Sequence, residues 1–349
     1  MAPAQRTNRW QHPALQPGWI DRPHQRLEFG GLPLESGEVI RDFEISYVTH
    51  GARTPADDNV ILVLTAIGST HHRLDFLIGP NRPLNTDRYF VVCVDAIGNG
   101  LTTSPSNSRS QPDLAFPRFT IRDMVASQRR LLDALGIRRL VAVVGASMGG
   151  MQALQWGVSH RDYMRGIVAL VPMARTRPWS VAMNEVARRI LMADPGWPSG
   201  PYGKGYDAWA AQTRVITNRT PGAFETIAAN AVPGLVADAV AASHRMGPDP
   251  VDWTYQSFAY DAHDVGTTAS FEGDTAAALR TILAPTLLLV PELDLYNPVE
   301  DAVEAAALIP HAELVRLGGN SGHAVAADTS PQLAEINRAI GKFLDGLGA

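Results

Sequence analysis

Leu140-Val-Ala-Val-Val-Gly-Ala-Ser-Met-Gly-Gly-Met-Gln-Ala-Leu-Gln-Trp156 decides how the rest of the chain is read. Leu140 to Val144 is a continuous apolar run, the pattern of a strand covered on both faces. The run passes through Gly145-Ala146-Ser147-Met148-Gly149 into a helical pattern from Gly150 to Ser159. A strand that turns directly into a helix forces the residue at the turn into a strained backbone. Glycines two positions to either side remove the Cβ clashes such a turn creates. The Ser147 hydroxyl then projects at the strand end, with a helix N-terminus behind it. Gly-x-Ser-x-Gly alone is weak, because a turn that merely packs closely reads the same. The strand before it and the helix after it give it a chemical meaning.

Outward from this turn, apolar runs recur at Val60–Leu64, Tyr89–Val94, Ile167–Val171, Thr286–Val290 and Glu313–Leu317. Between them lie amphipathic segments. Arg122–Gly136 puts Met124, Val125, Leu131, Leu132 and Leu135 on one side, and Pro331 to Leu347 predicts a closing helix. Strands alternating with helices predict an α/β fold with a mostly parallel central sheet flanked by helices. Glu44–Thr49 alternates instead, and predicts an antiparallel strand near the N-terminus. Residues 174–280 hold helical pieces, no strand run, and Trp179, Trp197, Trp209 and Trp253. The strand pattern resumes afterwards, so the core is expected over 1–173 and 281–349, with 174–280 a helical lid inserted between two core strands.

Composition narrows the function classes. Of 349 residues, 45% are hydrophobic and 19% charged, which argues for a folded core and against disorder. A net charge of −5 gives no nucleic-acid surface. The lone cysteine, Cys93, excludes an intramolecular disulfide and a cysteine-cluster metal site, and sits in a strand as an inert core residue. The first residues hold Arg6, Arg9, Pro3, Pro13, Pro17 and Pro23 and lack the apolar run of a secretory signal. Leu140–Ser159 is uncharged and long enough to span a bilayer, but its glycines, Ser147, Gln152 and Gln155 read as a buried strand, turn and helix. A soluble, cytoplasmic protein with no membrane partner is expected.

A serine hydroxyl becomes a nucleophile when a base takes its proton, and the base needs an orienting carboxylate. In this kind of fold the partners follow in the order serine, acid, histidine, each after a later strand. After Thr286–Val290 come Glu292 and Asp294; Asp294 is the favoured acid and Glu292 the rival. After Glu313–Leu317 comes Gly318-Gly-Asn-Ser-Gly-His323, and His323 is the expected base. Of the other histidines, His12, His24 and His50 precede the nucleophile, His160 and His311 sit near helix ends, and His244 and His263 fall in the insertion. The backbone N–H groups of Met148 and of Ile67, in the loop after Val60–Leu64, are the expected oxyanion donors. His71 and His72 are adjacent and should diverge, so no metal site is expected.

Several stretches then carry a family likeness: Phe116–Gln128, Leu131–Ile137, Val144–Trp156, Ile78–Pro80, Asp87–Phe90, Asn184–Arg188 and Asp194–Trp197. Together they resemble the homoserine O-acetyltransferase family of the α/β-hydrolase superfamily. The resemblance implies an α/β-hydrolase fold, an acetyl group passed from acetyl-CoA through Ser147 with Asp294 and His323, a helical lid, and a homodimer formed through that lid. The chain also departs from that family's motifs. It reads Thr65-Ala-Ile-Gly-Ser69 where the homoserine enzymes carry His-Ala-Leu-Thr-Gly, and Ala324-Val-Ala326 where they carry Asp-Ala-Phe. The expected function is therefore hydrolysis of small, acetate-like esters through an acyl-serine. An O-acetyltransferase with acetyl-CoA as co-substrate is the alternative, and an inactive binding scaffold is the third reading. No permanently bound cofactor is expected, and the partners are a small-molecule ester or acyl donor. Arg122, Trp197 and Tyr202 are candidate substrate contacts; an ion pair for Arg122 and core packing for the aromatics are the plainer roles.

Overall fold

A computed structural model of the chain describes His12 and residues 14–348. The stretch with Arg6, Arg9 and Pro13, on which the argument against a secretory signal rests, lies outside the described residues. β1 (Gln25–Pro33) pairs antiparallel with β2 (Val39–His50), and β2 pairs antiparallel with β4 (Phe90–Val94). From β4 onward every pairing is parallel, through β3 (Val60–Leu64), β5 (Leu140–Ala146), β6 (Met164–Leu170), β7 (Thr286–Pro291) and β8 (Ala312–Leu317). Among the described residues this makes one eight-stranded sheet in the order β1-β2-β4-β3-β5-β6-β7-β8.

The apolar runs become central strands because both sheet faces are covered. β3, β5 and β7 are buried along their whole length. Leu62, Val92 and Val143 join one core, shared with α1 (Ile121–Ala134) and α2 (Met148–Ser159). Ile61, Val91 and Val144 join the other, shared with the closing helix Leu333–Gly346 through Ile336, Ile340 and Leu344. Burying one such side chain is worth about 1.5–3 kcal/mol relative to exposure. α1 begins at a capping box in which Thr120 and Asp123 satisfy each other's backbone N–H groups. Met148 to Val158 are all buried, which accounts for the uncharged stretch without a membrane. No helix of the described residues is long and apolar enough to cross one.

Three strands differ from expectation. β2 starts at Val39, well ahead of the expected Glu44. β1 is additional; it carries Gly30 and Gly31 and register shifts from Glu28 to Gly31, a bulged edge pairing that blurs its alternation. β6 starts at Met164, where it meets Leu140, and ends before Val171, whose φ of 44° breaks the extended backbone.

Residues 174–280 form α3 (Pro178–Met192), α4 (Lys204–Ala211), α5 (Val232–Met246), α6 (Pro250–Asp261) and α7 (Thr275–Arg280), with an isolated bridge between Arg175 and Asp264. Leu191, Tyr206, Trp209 and Trp253 give this segment a cluster of its own. The chain then returns to the sheet at β7, followed by α8 (Val299–Leu308), β8 and α9 (Leu333–Gly346).

Candidate active site

Ser147 caps α2 with φ 56° and ψ −122°, a conformation L-residues seldom adopt and one that costs on the order of 1–3 kcal/mol. The neighbouring glycines are required by contact. A Cβ on Gly145 would lie 2.1 Å from the Gly149 carbonyl oxygen, and one on Gly149 would lie 2.6 Å from that of Leu64. Backbone bonds hold the turn from both sides: Ser147 N–H donates to Leu170 O at 2.9 Å, and Met151 N–H donates to Ser147 O at 3.0 Å.

The loops after β7 and β8 converge on this turn. His323 Nε2 lies 2.9 Å from Ser147 Oγ, and His323 Nδ1 lies 2.7 Å from Asp294 Oδ2. Asp294 Oδ1 accepts from the backbone N–H of Tyr296 at 2.8 Å and of Asn297 at 2.9 Å, so its free oxygen faces the imidazole. Ser147, Asp294 and His323 are all buried. Glu292 points elsewhere, 4.0 Å from Arg316. The Tyr296 and His323 rings meet in a T-shaped contact, with centroids 5.1 Å apart.

Sequence reasoning passed over the second layer around these side chains. Tyr260, from α6, bonds to Asn297 Oδ1, whose amide donates to Val171 O at 2.7 Å. Burial raises the Tyr260 hydroxyl well above the usual tyrosine range, with bonds to Asn297 and Ser147 opposing. Tyr296 donates to Asn184 Oδ1 at 2.7 Å, and Asn184 in turn donates to Asp261, which Arg188 holds at 2.6 Å. Asn184 and Arg188 stand in a stretch that carries the family likeness; only the contacts reveal what they do.

A cavity of about 350 Å³ opens at Ser147 and His323. Ile67 lines it, and the N–H groups of Gly68 and Ser69 beside it are engaged with Gln256 Oε1 and Ala66 O. Met148 is the first residue of α2, so its N–H has no acceptor within the helix. Trp209 and Trp253 form part of the wall. Arg73, Arg214 and Arg219 line it as well. Burial pushes the Arg73 guanidinium down to about 10, with Asp328 opposing and Arg214 reinforcing, and burial lowers Arg214 too. The three candidate substrate contacts sit elsewhere. Arg122 pairs with Glu35 at 2.6 Å, Trp197 packs against the Trp209 cluster, and Tyr202 donates to Pro198 O at 2.6 Å. None of the three lines this cavity.

The expectation that His71 and His72 diverge with no further ligand nearby is corrected. Their ring centroids are 4.3 Å apart, and His12 and His24, set aside as too early in the chain, pack against them. His12, His24 and His71 each bring one donor atom within 4.8 Å of the others.

A family model described as the alpha/beta hydrolase fold matches residues 59–328. A homoserine O-acetyltransferase of Methanosalsum zhilinae is 42% identical over 203 residues, 53% of this chain and 41% of that relative. The match thus spans less than half the length of that curated relative. Two solved structures are similar over nearly the whole chain. An acetylester hydrolase from Corynebacterium glutamicum has a TM-score of 0.84 at 27% identity, covering 93% of this chain and 96% of that one. The acetyl esterase MekB has a TM-score of 0.85 at 26% identity, covering 93% and 97%.

Proposed function

The chain belongs to the alpha/beta hydrolase fold family, and from that premise we propose that it hydrolyses small, acetate-like esters through an acyl-serine intermediate. The observation that carries this reading is the hydrogen-bonded series Ser147–His323–Asp294, whose first two members line the cavity. His323 Nε2 takes the Ser147 proton as Oγ attacks the ester carbonyl. The oxyanion is held by the Met148 and Ile67 N–H groups, each worth about 2.7–4 kcal/mol of barrier. Asp294 keeps a proton on Nδ1 and favours the imidazolium. His323 then protonates the departing alcohol oxygen as its bond to the acyl carbon breaks. A water next gives its proton to His323 and attacks the acyl-serine, and Ser147 leaves with that proton as the carboxylic acid is released. Residues 174–280 serve as the lid that walls the cavity.

Whole-chain likeness to two acetyl ester hydrolases supports water as the acceptor, as do the departures at Thr65–Ser69 and Ala324–Ala326. One observation favours a second reading, acetyl transfer from acetyl-CoA to the hydroxyl of homoserine, serine or a similar small alcohol. Arg73, Arg214 and Arg219 offer cations for an acceptor carboxylate or donor phosphates. A homodimer paired through the helical segment fits the apolar side chains it leaves exposed, such as Trp179, Val186, Met192 and Ile216.

The deciding experiment offers the full chain p-nitrophenyl acetate in water, and separately acetyl-CoA with homoserine or serine. Free acetate from the first and no O-acetyl product from the second is the expected result. Robust O-acetyl product would move the conclusion to the transferase.

A further inference from the structure

We propose that His12, His24 and His71 form a binding site for one divalent transition-metal ion of the zinc class, fastening the chain ahead of β1 to the loop that carries Ile67. Three imidazoles each place one donor atom within 4.8 Å of the other two, although His12 and His71 are far apart in sequence. Zn–N bonds of about 2.0–2.1 Å and tetrahedral angles bring such donors to roughly 3.4 Å apart. About an ångström of closure is therefore needed, and the exposed His24 and part-buried His12 have room to supply it.

The second observation is the setting of the anchoring imidazole. His71 is 2% exposed; its Nδ1 lies 3.0 Å from Asp95 Oδ2, and its Nε2 is buried with no hydrogen-bond partner. A carboxylate on one ring nitrogen with the other left open is the arrangement that orients metal-binding histidines. Asp95 is itself fixed by Ser46 Oγ at 2.9 Å and Asn99 Nδ2 at 2.9 Å. His72 repeats the pattern at its edge, with Nδ1 2.6 Å from Asp75 Oδ2 and Nε2 buried and unpartnered. Neutral imidazole donors suit Zn²⁺, Co²⁺, Ni²⁺ or Cu²⁺ and not Mg²⁺ or Ca²⁺, which take oxygen ligands. With three protein ligands, the remaining coordination falls to water.

The location gives the ion its task. Asn99 Nδ2, which braces Asp95, also donates to Ser69 O at 3.2 Å in the loop that carries Ile67. Ahead of β1, Ile20 N–H donates to Asp75 Oδ2 at 2.8 Å, and Trp19 stacks on His72 at 4.3 Å. An ion at the three imidazoles would join these two sets of contacts into one support behind the loop, outside the cavity at Ser147.

The test uses the full chain free of any polyhistidine tag. It is stripped with chelator, reloaded with Zn²⁺ or with Co²⁺ as a spectroscopic probe, and dialysed. The expected result is one Zn²⁺ per chain by elemental analysis and a visible Co²⁺ ligand-field spectrum. His12→Ala and His24→Ala should each weaken binding by about tenfold or more and abolish that spectrum. Both variants leave the His71–Asp95 pair intact, and circular dichroism checks that they fold. Wild type retaining no more Zn²⁺ than the folded His12→Ala and His24→Ala variants, or those variants binding Zn²⁺ as tightly as wild type, overturns the proposal.

Discussion

Among the buried histidine–aspartate pairs of the described residues, two hold their imidazoles alike and put them to different ends. His323 Nδ1 lies 2.7 Å from Asp294, and His71 Nδ1 lies 3.0 Å from Asp95. Each aspartate is pinned by further donors: backbone N–H groups at Asp294, and Ser46, Asn99 and the His71 N–H at Asp95. The difference is at Nε2. At His323 it meets the Ser147 hydroxyl at 2.9 Å, whereas at His71 it meets no hydrogen-bond partner and faces other imidazoles. A carboxylate orients a ring and selects its tautomer; what the ring then does depends on the atom offered to its far nitrogen.

The largest test of this contrast is Ser147→Ala, which leaves His323 as bereft at Nε2 as His71. Turnover of p-nitrophenyl acetate should fall by roughly 10⁶-fold in kcat, with the fold unchanged by circular dichroism. Equal rates in the variant and wild type would erase the distinction between the pairs.

A matched substitution sharpens it next. Asp294→Asn should lower kcat by about 10⁴-fold, since the tautomer is wrong for the base. Asp95→Asn should leave kcat within roughly tenfold, but lower unfolding free energy by about 2–3 kcal/mol through loss of charge-assisted hydrogen bonds. Steady-state kinetics and urea unfolding, run on both variants, read the two effects separately.

A buried imidazole with no carboxylate beside it, His263, supplies the smallest effect. Burial, reinforced by Arg122, pushes His263 down to about 3 from an ordinary 6.5. The unfolded chain takes up a proton below pH 6.5 that the folded chain refuses until about 3, so this contribution to stability is intact above 6.5 and drains as pH falls. The slope is at most about 1.4 kcal/mol per pH unit. Replacing the group by His263→Gln should flatten the fall of the urea midpoint between neutral and mildly acid pH. An unchanged slope would mean that a buried imidazole without a carboxylate is not held neutral.

These contrasts also mark how far the sequence could be read. The strand–turn–helix at Ser147 is legible because glycine spacing acts within a few residues. The parallel strands are legible because helices on both faces demand continuous apolar runs. β1 is hidden by Gly30, Gly31 and a bulged edge. The meeting of His12 and His24 with His71 depends on how the chain ahead of β1 returns to the core, which no local pattern encodes. Cavity lining is hidden for the same reason. Arg73 and Arg214 come from stretches far apart in sequence, whereas Arg122 is held by Glu35 and Tyr202 by its own turn.

The helical segment supplies Met183, Trp209, Arg214 and Trp253 to the cavity, while Ser147, Asp294 and His323 all stand on core loops. On the proposed reading, the reacting groups come from the core, while the cavity wall is shared between the core, through Ile67 and Arg73, and residues 174–280. Recombining residues 174–280 between relatives is a route to new acceptors, on one condition. A transplanted segment must keep Asn184 and Tyr260, whose hydrogen bonds to Tyr296 and Asn297 steady the acid's loop from above.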